Sequence, residues 1–155
     1  MYAEFGSKQG LFEAALDHYN EHSLSAVLQA AESPDADVAA IRATFAGFAE
    51  ASKEWAQGRG CLLCNTAVER VTLEDSTGHH VDAYFGRLDA AFGNAVGNAV
   101  RTGELAADTD VDDLAAFFTM ALLGIATMAK GRAQPTRIEA ATRVAMTVLN
   151  ANAAS

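Results

Sequence analysis

The segment from Val111 to Ala129 constrains the fold of this chain most, because it is apolar around nearly all of its circumference. At helical spacing its large apolar side chains fall on several faces: Leu114, Phe117, Phe118, Met120, Leu122, Leu123, Ile125 and Met128. A helix of this kind needs cover on more than one side. No uninterrupted apolar run reaches the roughly 18 residues of a membrane span, so no membrane partner is expected. The segment therefore predicts a helix covered by other helices of the chain and by a second copy.

The rest of the chain also divides into helical segments, and none alternates apolar and polar residues as a half-buried strand would. Turn-forming clusters such as Ser33-Pro34-Asp35 separate these segments, and proline disfavours helix in the residue before it. Six helices are predicted, over about 8–30, 38–55, 61–71, 79–100, 111–129 and 136–151. The pattern indicates an all-α fold.

Several helix starts carry capping signals. Residues that can act as N-caps precede three of the apolar stripes: Ser7, then Asp35 or Asp37, and the run from Asp108 to Asp110. Their side-chain oxygens can accept hydrogen bonds from the free backbone amides of the first helical turn. Thr136 with Glu139 three residues later has the spacing of a capping box. These signals predict where the first, second, fifth and sixth helices begin.

Bulk composition narrows the class of protein. The chain has 155 residues, enough for one domain with its own core, and a net charge of −9, which should repel nucleic acid. Its start lacks the basic and apolar regions of a signal peptide. Two cysteines three residues apart do not make a disulfide framework, so reduced thiols in a cytoplasmic protein are the expectation.

The start of the chain carries a short motif with specific spacing: Tyr2, Phe5, Ser7, Lys8 and Leu11. This motif resembles the hinge of tetracycline-repressor-like (TetR/AcrR) bacterial transcription regulators, although Gln9 stands where glutamate is commoner. In that family the hinge joins the recognition helix to the long first helix of the regulatory body. Weaker likenesses follow at Gly60-Cys61-Leu62-Leu63, which resembles a short buried helix, and at Gly103-Glu104-Leu105, which resembles the linker before the dimer helix.

The resemblance implies a division of the chain. Residues 1–6 would be the remnant of the recognition helix and hinge, 7–151 the helical ligand-binding and dimerisation domain, and 152–155 a frayed tail. Tyr2 and Lys8 would contact DNA phosphates. Operator DNA is an expected partner only together with the family's upstream helix-turn-helix, of which this sequence carries only the end.

The resemblance also implies a ligand cavity, which needs apolar walls and a few polar groups. The candidate walls are mostly aromatic, with two polar residues on the short helix: Phe45, Phe48, Trp55, Asn65, Thr66, Phe85, Leu88, Phe92, Phe117 and Met120. For any single one of these residues, ordinary core packing is the alternative. The expected effector is a small apolar or aromatic molecule.

A homodimer is expected from the last two helices of each chain, packed as an intermolecular four-helix bundle. The candidate interface combines large apolar residues of the fifth helix with small ones of the sixth: Phe118, Leu122, Ile125, Ala141, Ala145 and Val148. Such a dimer is two-fold symmetric and uses the same patch on both chains.

Cys61 and Cys64 form a Cys-x-x-Cys at a predicted helix start. Two interpretations stand: a redox or electrophile sensor, or two small buried apolar residues. The second is favoured, since no strand precedes the pair as it would in a thioredoxin-like protein.

The remaining motifs favour ordinary structural roles. The adjacent His79 and His80 diverge by about 100° on a helix, and His18 with His22 lacks further ligands, so no metal site is predicted. The repeats at Gly93-Asn94 and Gly97-Asn98 predict a groove that lets another backbone approach.

No nucleophile elbow, phosphate loop or paired carboxylates appear, so neither catalysis nor a cofactor is expected. The sequence thus predicts a ligand-responsive transcriptional regulator that acts as a repressor, with a thiol sensor through Cys61 and Cys64 or a head-less dimerisation module as the alternatives.

Overall fold

The computed structural model describes residues 5–55, 61–69 and 75–154, which fold into a bundle of α-helices. The helices are α1 (Lys8–His18), α2 (Ser25–Leu28), α3 (Val38–Trp55), α4 (Leu62–Val68), α5 (Asp75–Thr102), α6 (Val111–Lys130), α7 (Pro135–Ala145) and α8 (Thr147–Ala151). A π-helical segment, Tyr19–Leu24, joins α1 to α2. The predicted all-α fold is confirmed.

The first helix begins as its cap predicts but does not continue unbroken. The Ser7 hydroxyl accepts a hydrogen bond from the Gly10 amide at 3.0 Å, and Gly6 before it has a φ of 70°, which suits glycine. The predicted helix over 8–30 is instead interrupted by the π-helical segment. A π-helical turn contains an extra residue, so it rotates the side chains after it, and such segments often occur at functional sites.

The predicted side-chain caps are also present at two later helices, and the predicted cap of a third helix is absent. Asp37 accepts from the Ala40 amide at 3.0 Å, and Asp110 accepts from the Asp113 amide at 3.0 Å. The predicted capping box is wrong, because α7 begins at Pro135 and its N-cap is Gln134. Proline suits the first helical position, where no amide partner is needed, so Thr136 lies inside the helix.

The end of the chain is held in place, where the sequence suggested a frayed tail. The Ala106 amide donates to the Asn152 carbonyl at 2.8 Å, and the Ala154 amide donates to the Glu104 carbonyl at 3.2 Å. An isolated antiparallel bridge joins Leu105 to Ala153. Backbone pairing with the α5–α6 loop therefore orders residues through Ala154.

The asparagines of the repeated Gly-Asn motif organise a loop. The Asn94 amide nitrogen donates to the Ser33 carbonyl at 2.8 Å, and the Asn98 amide nitrogen donates to the carbonyls of Pro34 and Ala36 at 2.8 and 2.9 Å. The predicted close backbone approach at the glycines is not found, since a Cβ at Gly93 would meet nothing within 4 Å. The motif instead ties the α2–α3 loop to α5.

Helix α6 packs against α5, α3 and α7 and supplies much of the core. Among the described helices it alone is long and apolar enough to cross a membrane by composition, with a mean hydropathy of 1.5. Only 39% of that window is buried within the chain. Of the large apolar side chains of α6, Met120 is 65% exposed, whereas Phe117, Leu123 and Met128 are partly buried against the core.

Candidate functional site

The aromatic residues predicted to wall a ligand cavity mostly pack against one another. Phe45, Phe48 and Phe92 are fully buried. The ring of Phe45 lies 5.8 Å from that of Phe92 and 5.7 Å from that of Phe118, between ring centroids. These are normal packing distances for aromatic pairs. The structure therefore places these rings in solid core, because large side chains from α3, α5 and α6 converge there and fill the space.

The other predicted ligand residues are scattered. Leu88 is fully buried, Phe117 packs edge-on against Phe118, and Phe85 packs against Tyr84. Met120 is 65% exposed, on the surface of α6. Three positions remain. The Trp55 side chain lies outside the described part, and the Thr66 hydroxyl donates to the Leu62 carbonyl at 2.9 Å. Asn65 alone of the set lines one of the clefts described next.

An apolar cleft of about 430 Å³ lies where α1 and the π-helical segment meet α4. Its lining consists of Phe5, Leu11, Ala14, Ala15, His18, Tyr19, Ser23 and Leu62. We call it the α1–α4 cleft. Its volume falls within the range of small-molecule sites, about 300–1,000 Å³. It borders the helix that begins directly after the hinge motif.

A second cleft of about 410 Å³ lies between α4 and the end of α6. Its lining is more polar: Cys64, Asn65, Val68, Glu69, Thr127, Lys130 and Gly131. We call it the α4–α6 cleft. The short helix α4 thus contributes residues to both clefts.

Beside the two clefts, four side chains form a cluster, in which Cys61, Cys64 and Tyr84 are buried and Tyr19 is half-buried. The Tyr84 hydroxyl lies 3.3 Å from the Cys64 sulfur and 3.8 Å from the Cys61 sulfur. Both cysteines are free thiols, 1% and 6% exposed. The cluster joins α4 to α5 and to the π-helical segment, and we call it the thiol–tyrosine cluster.

The two thiols differ in acidity. A hydrogen bond from the Cys64 side chain is the largest influence on Cys61 and lowers the pKa of the Cys61 thiol to about 6, against the opposing effect of burial. The same hydrogen bond, followed by burial, raises the pKa of Cys64. Burial, and then the neighbouring Cys61, raises the pKa of both Tyr19 and Tyr84. Among the four groups of the cluster, Cys61 is therefore the one whose ionisation is favoured, while the pKa of each of the other three is raised.

Sequence reasoning missed the tyrosines of this cluster. In the sequence, Tyr19 and Tyr84 lie among apolar residues at helical spacing, one near the start of the chain and one in its middle. Nothing in their spacing shows that their hydroxyls meet at Cys61, because that meeting depends on how three helices pack. The sequence shows a Cys-x-x-Cys motif and two tyrosines on other helices, but it does not show that these side chains meet.

A second missed group is Arg87 on α5. Its guanidinium bonds both carboxylate oxygens of Glu32, the carbonyl and side-chain oxygens of Asn20, and the Ser25 hydroxyl at 2.7 Å. Arg87 thereby fastens the π-helical segment and α2 to α5. We call this group the Arg87 clamp.

The predicted DNA contacts lie at the hinge. Lys8 is exposed at the first position of α1, and Tyr2 lies outside the described residues. Phe5 of the same motif is 39% exposed and lines the α1–α4 cleft. The hinge and the cleft are therefore adjacent.

The predicted dimer residues fall into two groups. Phe118 and Leu122 are fully buried within one chain and Ile125 is 4% exposed, so the core already covers them. The Phe118 ring packs against Phe45 of α3 and Phe92 of α5. This placement corrects their assignment to a surface that a partner can contact. Ala141 is exposed, and Ala145 and Val148 are partly exposed. Met120 and Val144, each 65% exposed, are the large apolar residues on the outer faces of α6 and α7.

The histidines have local roles. His18 and His22 stack with ring centroids 4.2 Å apart, and His80 pairs with Asp17 at 2.8 Å, which links α5 to α1. Within the described residues no group of three or more His, Cys, Asp or Glu side chains is arranged to hold a metal ion.

A helical body with clefts beside the helix that carries the hinge-like motif is typical of one-component transcription regulators. Residues 38–145 match the family model for the tetracyclin repressor-like C-terminal domain. The chain therefore belongs to the TetR family, and it is a transcriptional regulator of that family.

Similar proteins are also named as transcriptional regulators. The uncharacterized HTH-type transcriptional regulator YezE of Bacillus subtilis (strain 168) is 27% identical over 151 residues, which are 97% of this chain and 78% of YezE. Among solved structures, two cysteine mutants of the TetR family transcriptional regulator CifR, each complexed with 26-base-pair operator DNA, are 30% and 29% identical. Both superpose with a TM-score of 0.62 over 94% of this chain and 76% of CifR. These relatives are transcriptional regulators rather than enzymes.

Proposed function

We propose that this chain is the effector-binding and dimerising body of a cytoplasmic repressor, and that a small apolar or aromatic effector binds in the α1–α4 cleft. The observation that carries the proposal is the position of this cleft. Phe5, Leu11 and Tyr19 of its lining belong to the hinge, α1 and the π-helical segment, and Leu62 faces them from α4. An effector that separates α1 from α4 would therefore act on the hinge directly.

The α1–α4 cleft replaces the aromatic core as the proposed effector site. The core rings of α3, α5 and α6 are packed at contact distance, so a ligand there would have to displace them. The cleft already offers space, an apolar lining, and the polar groups of His18, Tyr19 and Ser23 at its edge. A few polar groups in an apolar wall are what a ligand site needs for orientation.

The operator complex of CifR supports DNA as a partner of this regulator. Lys8 lies at the start of α1, where it and Tyr2 are proposed to contact the phosphate backbone. An effector must bind one arrangement of α1 more tightly than the other in order to change DNA affinity. We propose that filling the cleft selects the arrangement with the lower affinity.

We also propose a homodimer through the outer faces of α6 and α7. Met120 and Val144 are exposed there, Ala141, Ala145 and Val148 lie beside Val144, and less than half of the apolar window of α6 is buried within the chain. Small residues on α7 allow close approach of a second copy. An area above about 1,000 Å² is expected for a stable contact of this kind.

The effector site is tested with the neutral apolar dye Nile red as the probe. The wild-type chain is expected to bind the dye and enhance its fluorescence, and Ala15→Phe, which fills the cleft from an exposed position of α1, is expected to abolish this. Ala26→Phe is the matched control, because Ala26 is an exposed alanine on α2 that lines a different groove. Equal binding by both variants, with circular dichroism showing native helix content, would overturn the assignment.

A further inference from the structure

We propose that Cys61 and Cys64 form a reversible intramolecular disulfide in response to a peroxide, and that this bond loosens the π-helical segment at Tyr19. The chemistry of this switch stands independently of the effector site. Its effect on transcription rests on the proposed function.

The backbone brings the two sulfurs together. Cys61 is the N-cap of α4 in extended conformation, and its carbonyl accepts from the Asn65 amide at 3.0 Å, so Cys64 lies on the first turn. Residues three apart on a helix have Cβ atoms about 5–6 Å apart, and a disulfide needs about 3.5–4.5 Å. Cys61 is not inside the helix but at its extended N-cap, a hydrogen bond joins its side chain to that of Cys64, and both sulfurs contact the same Tyr84 hydroxyl, at 3.8 and 3.3 Å.

The two thiols have complementary roles. A thiolate, not a thiol, is the nucleophile toward an oxidant. The hydrogen bond from Cys64 lowers the pKa of the Cys61 thiol to about 6 and raises the pKa of Cys64, so Cys61 is the thiol that ionises first. The pair therefore contains a nucleophile with a resolving thiol already in contact.

The reaction balances in two steps. The Cys61 thiolate attacks one oxygen of a hydroperoxide; an S–O bond forms, the O–O bond breaks, and the departing alkoxide or hydroxide takes a proton from solvent. The sulfur of Cys64, losing its proton, then attacks the sulfur of the resulting sulfenic acid. An S–S bond forms, the S–O bond breaks, and water leaves. The two thiols are oxidised by two electrons, and the peroxide is reduced to an alcohol or water and a second water.

Access favours a small oxidant. Cys61 is 1% exposed and Cys64 6% exposed, so bulky thiol reagents are held away. Cys64 lines the α4–α6 cleft, and Leu62 and Tyr19 beside Cys61 line the α1–α4 cleft. A hydroperoxide is close to water in size and can approach from these clefts.

Oxidation of Cys61 to the disulfide removes the negative charge that the Tyr19 hydroxyl contacts. Tyr19 belongs to the π-helical segment, and the charge of Cys61 and a hydrogen bond to it both act on the Tyr19 hydroxyl. A disulfide sulfur is neutral and a weak acceptor, so this bond to Tyr19 is lost. The Arg87 clamp then remains to hold the π-helical segment, through Asn20.

The test uses the reduced chain and hydrogen peroxide. Intact mass is expected to fall by two hydrogens with loss of both free thiols, and dithiothreitol is expected to restore both. Cys64→Ser is expected to accumulate a Cys61 sulfenic acid that dimedone traps, whereas Cys61→Ser is expected to stay unmodified. Two free thiols after treatment, or only interchain disulfides, would overturn the switch.

The loosening of the π-helical segment is measured separately, by hydrogen exchange. Hydrogen exchange of amides in Tyr19–Leu24 is expected to speed up at least about tenfold on oxidation, and to stay unchanged in peroxide-treated Cys61→Ser. A disulfide that forms without faster exchange there would overturn the coupling to Tyr19. Neither result depends on DNA or on Nile red, so failure here is separate from failure of the effector site.

Discussion

The Tyr84 hydroxyl on α5 lies 3.3 Å from the sulfur of Cys64 on α4, with both side chains buried. This contact places a phenol donor beside two thiols, of which Cys61 is the acidic one. It also fixes the short helix α4, which lines two clefts, onto the long helix α5. The acidity of the thiols and the position of α4 therefore depend on the same residue.

Replacing Tyr84 by Phe is expected to raise the pKa of Cys61, because a hydrogen-bond donor to its thiolate is removed. Below the pKa, each unit of increase reduces the thiolate fraction, and hence its reaction rate with peroxide, about tenfold. Ultraviolet absorbance of the thiolate across pH measures the shift. Phe85→Leu, which alters the neighbouring residue without a hydroxyl, is the control and should leave the midpoint near 6.

Stability is expected to depend on pH through Cys61. Its pKa is lower in the folded chain, about 6, than the ordinary value of 9.0, so between these values the unfolded chain binds more protons. The free energy of unfolding of the wild type, relative to Cys61→Ser, should therefore rise from about pH 6 to about pH 9 and be lost as pH falls through about 6. Urea unfolding of both proteins at several pH values measures this, and a flat difference would contradict it.

Removing the Arg87 clamp is expected to loosen the π-helical segment. Arg87→Ala should lower the free energy of unfolding by about 1–3 kcal/mol, because charged hydrogen bonds to Glu32, Asn20 and Ser25 are lost. Arg87→Lys should recover only part of the lost stability, since the lysine ammonium lacks the planar set of donors of a guanidinium. The exposed Arg42→Ala, which loses a bond to Asn150, is the control and should change stability by less than about 0.5 kcal/mol. Urea unfolding compares the three, and equal losses would argue against a clamp.

The dimer face is expected to be Met120 and Val144 rather than the buried residues of α6. Met120→Glu should convert the protein to a folded monomer in sedimentation experiments at micromolar concentration, because a charge is placed in an apolar interface. Val68→Glu, at a 77% exposed position on α4, is the control and should stay dimeric. Phe118→Ala should instead destabilise the fold by about 3–5 kcal/mol. A wild type that sediments as a monomer would refute the interface.

The chain of 155 residues is expected to bind DNA weakly, because its net charge is −9. Fluorescence anisotropy with double-stranded DNA at physiological salt should give a Kd weaker than about 10⁻⁵ M. Lowering the salt should strengthen binding only slightly. A tight, sequence-specific complex would show that local basic groups outweigh the overall charge.

The sequence by itself determined the helices and their family. Periodic apolar residues, the cap at Ser7 and the breaks at Gly and Pro act over a few residues, so they can be read along the chain. The Tyr2-to-Leu11 motif indicated the TetR family, and the match over residues 38–145 confirmed it. The π-helical interruption at Tyr19 was not visible, because it depends on contacts with α5.

Only the tertiary structure decided which apolar residues face core, cleft or partner. Phe45, Phe92 and Phe118 are equally apolar in sequence whether they wall a cavity or fill it, and the packing of α3, α5 and α6 fills it. Met120 and Leu122 lie two residues apart on one helix, yet one is exposed and the other buried. The meeting of Tyr19 and Tyr84 at Cys61 also arises from the packing of three helices. The local sequence determines which faces of a helix are apolar, whereas long-range packing determines which neighbour covers each face.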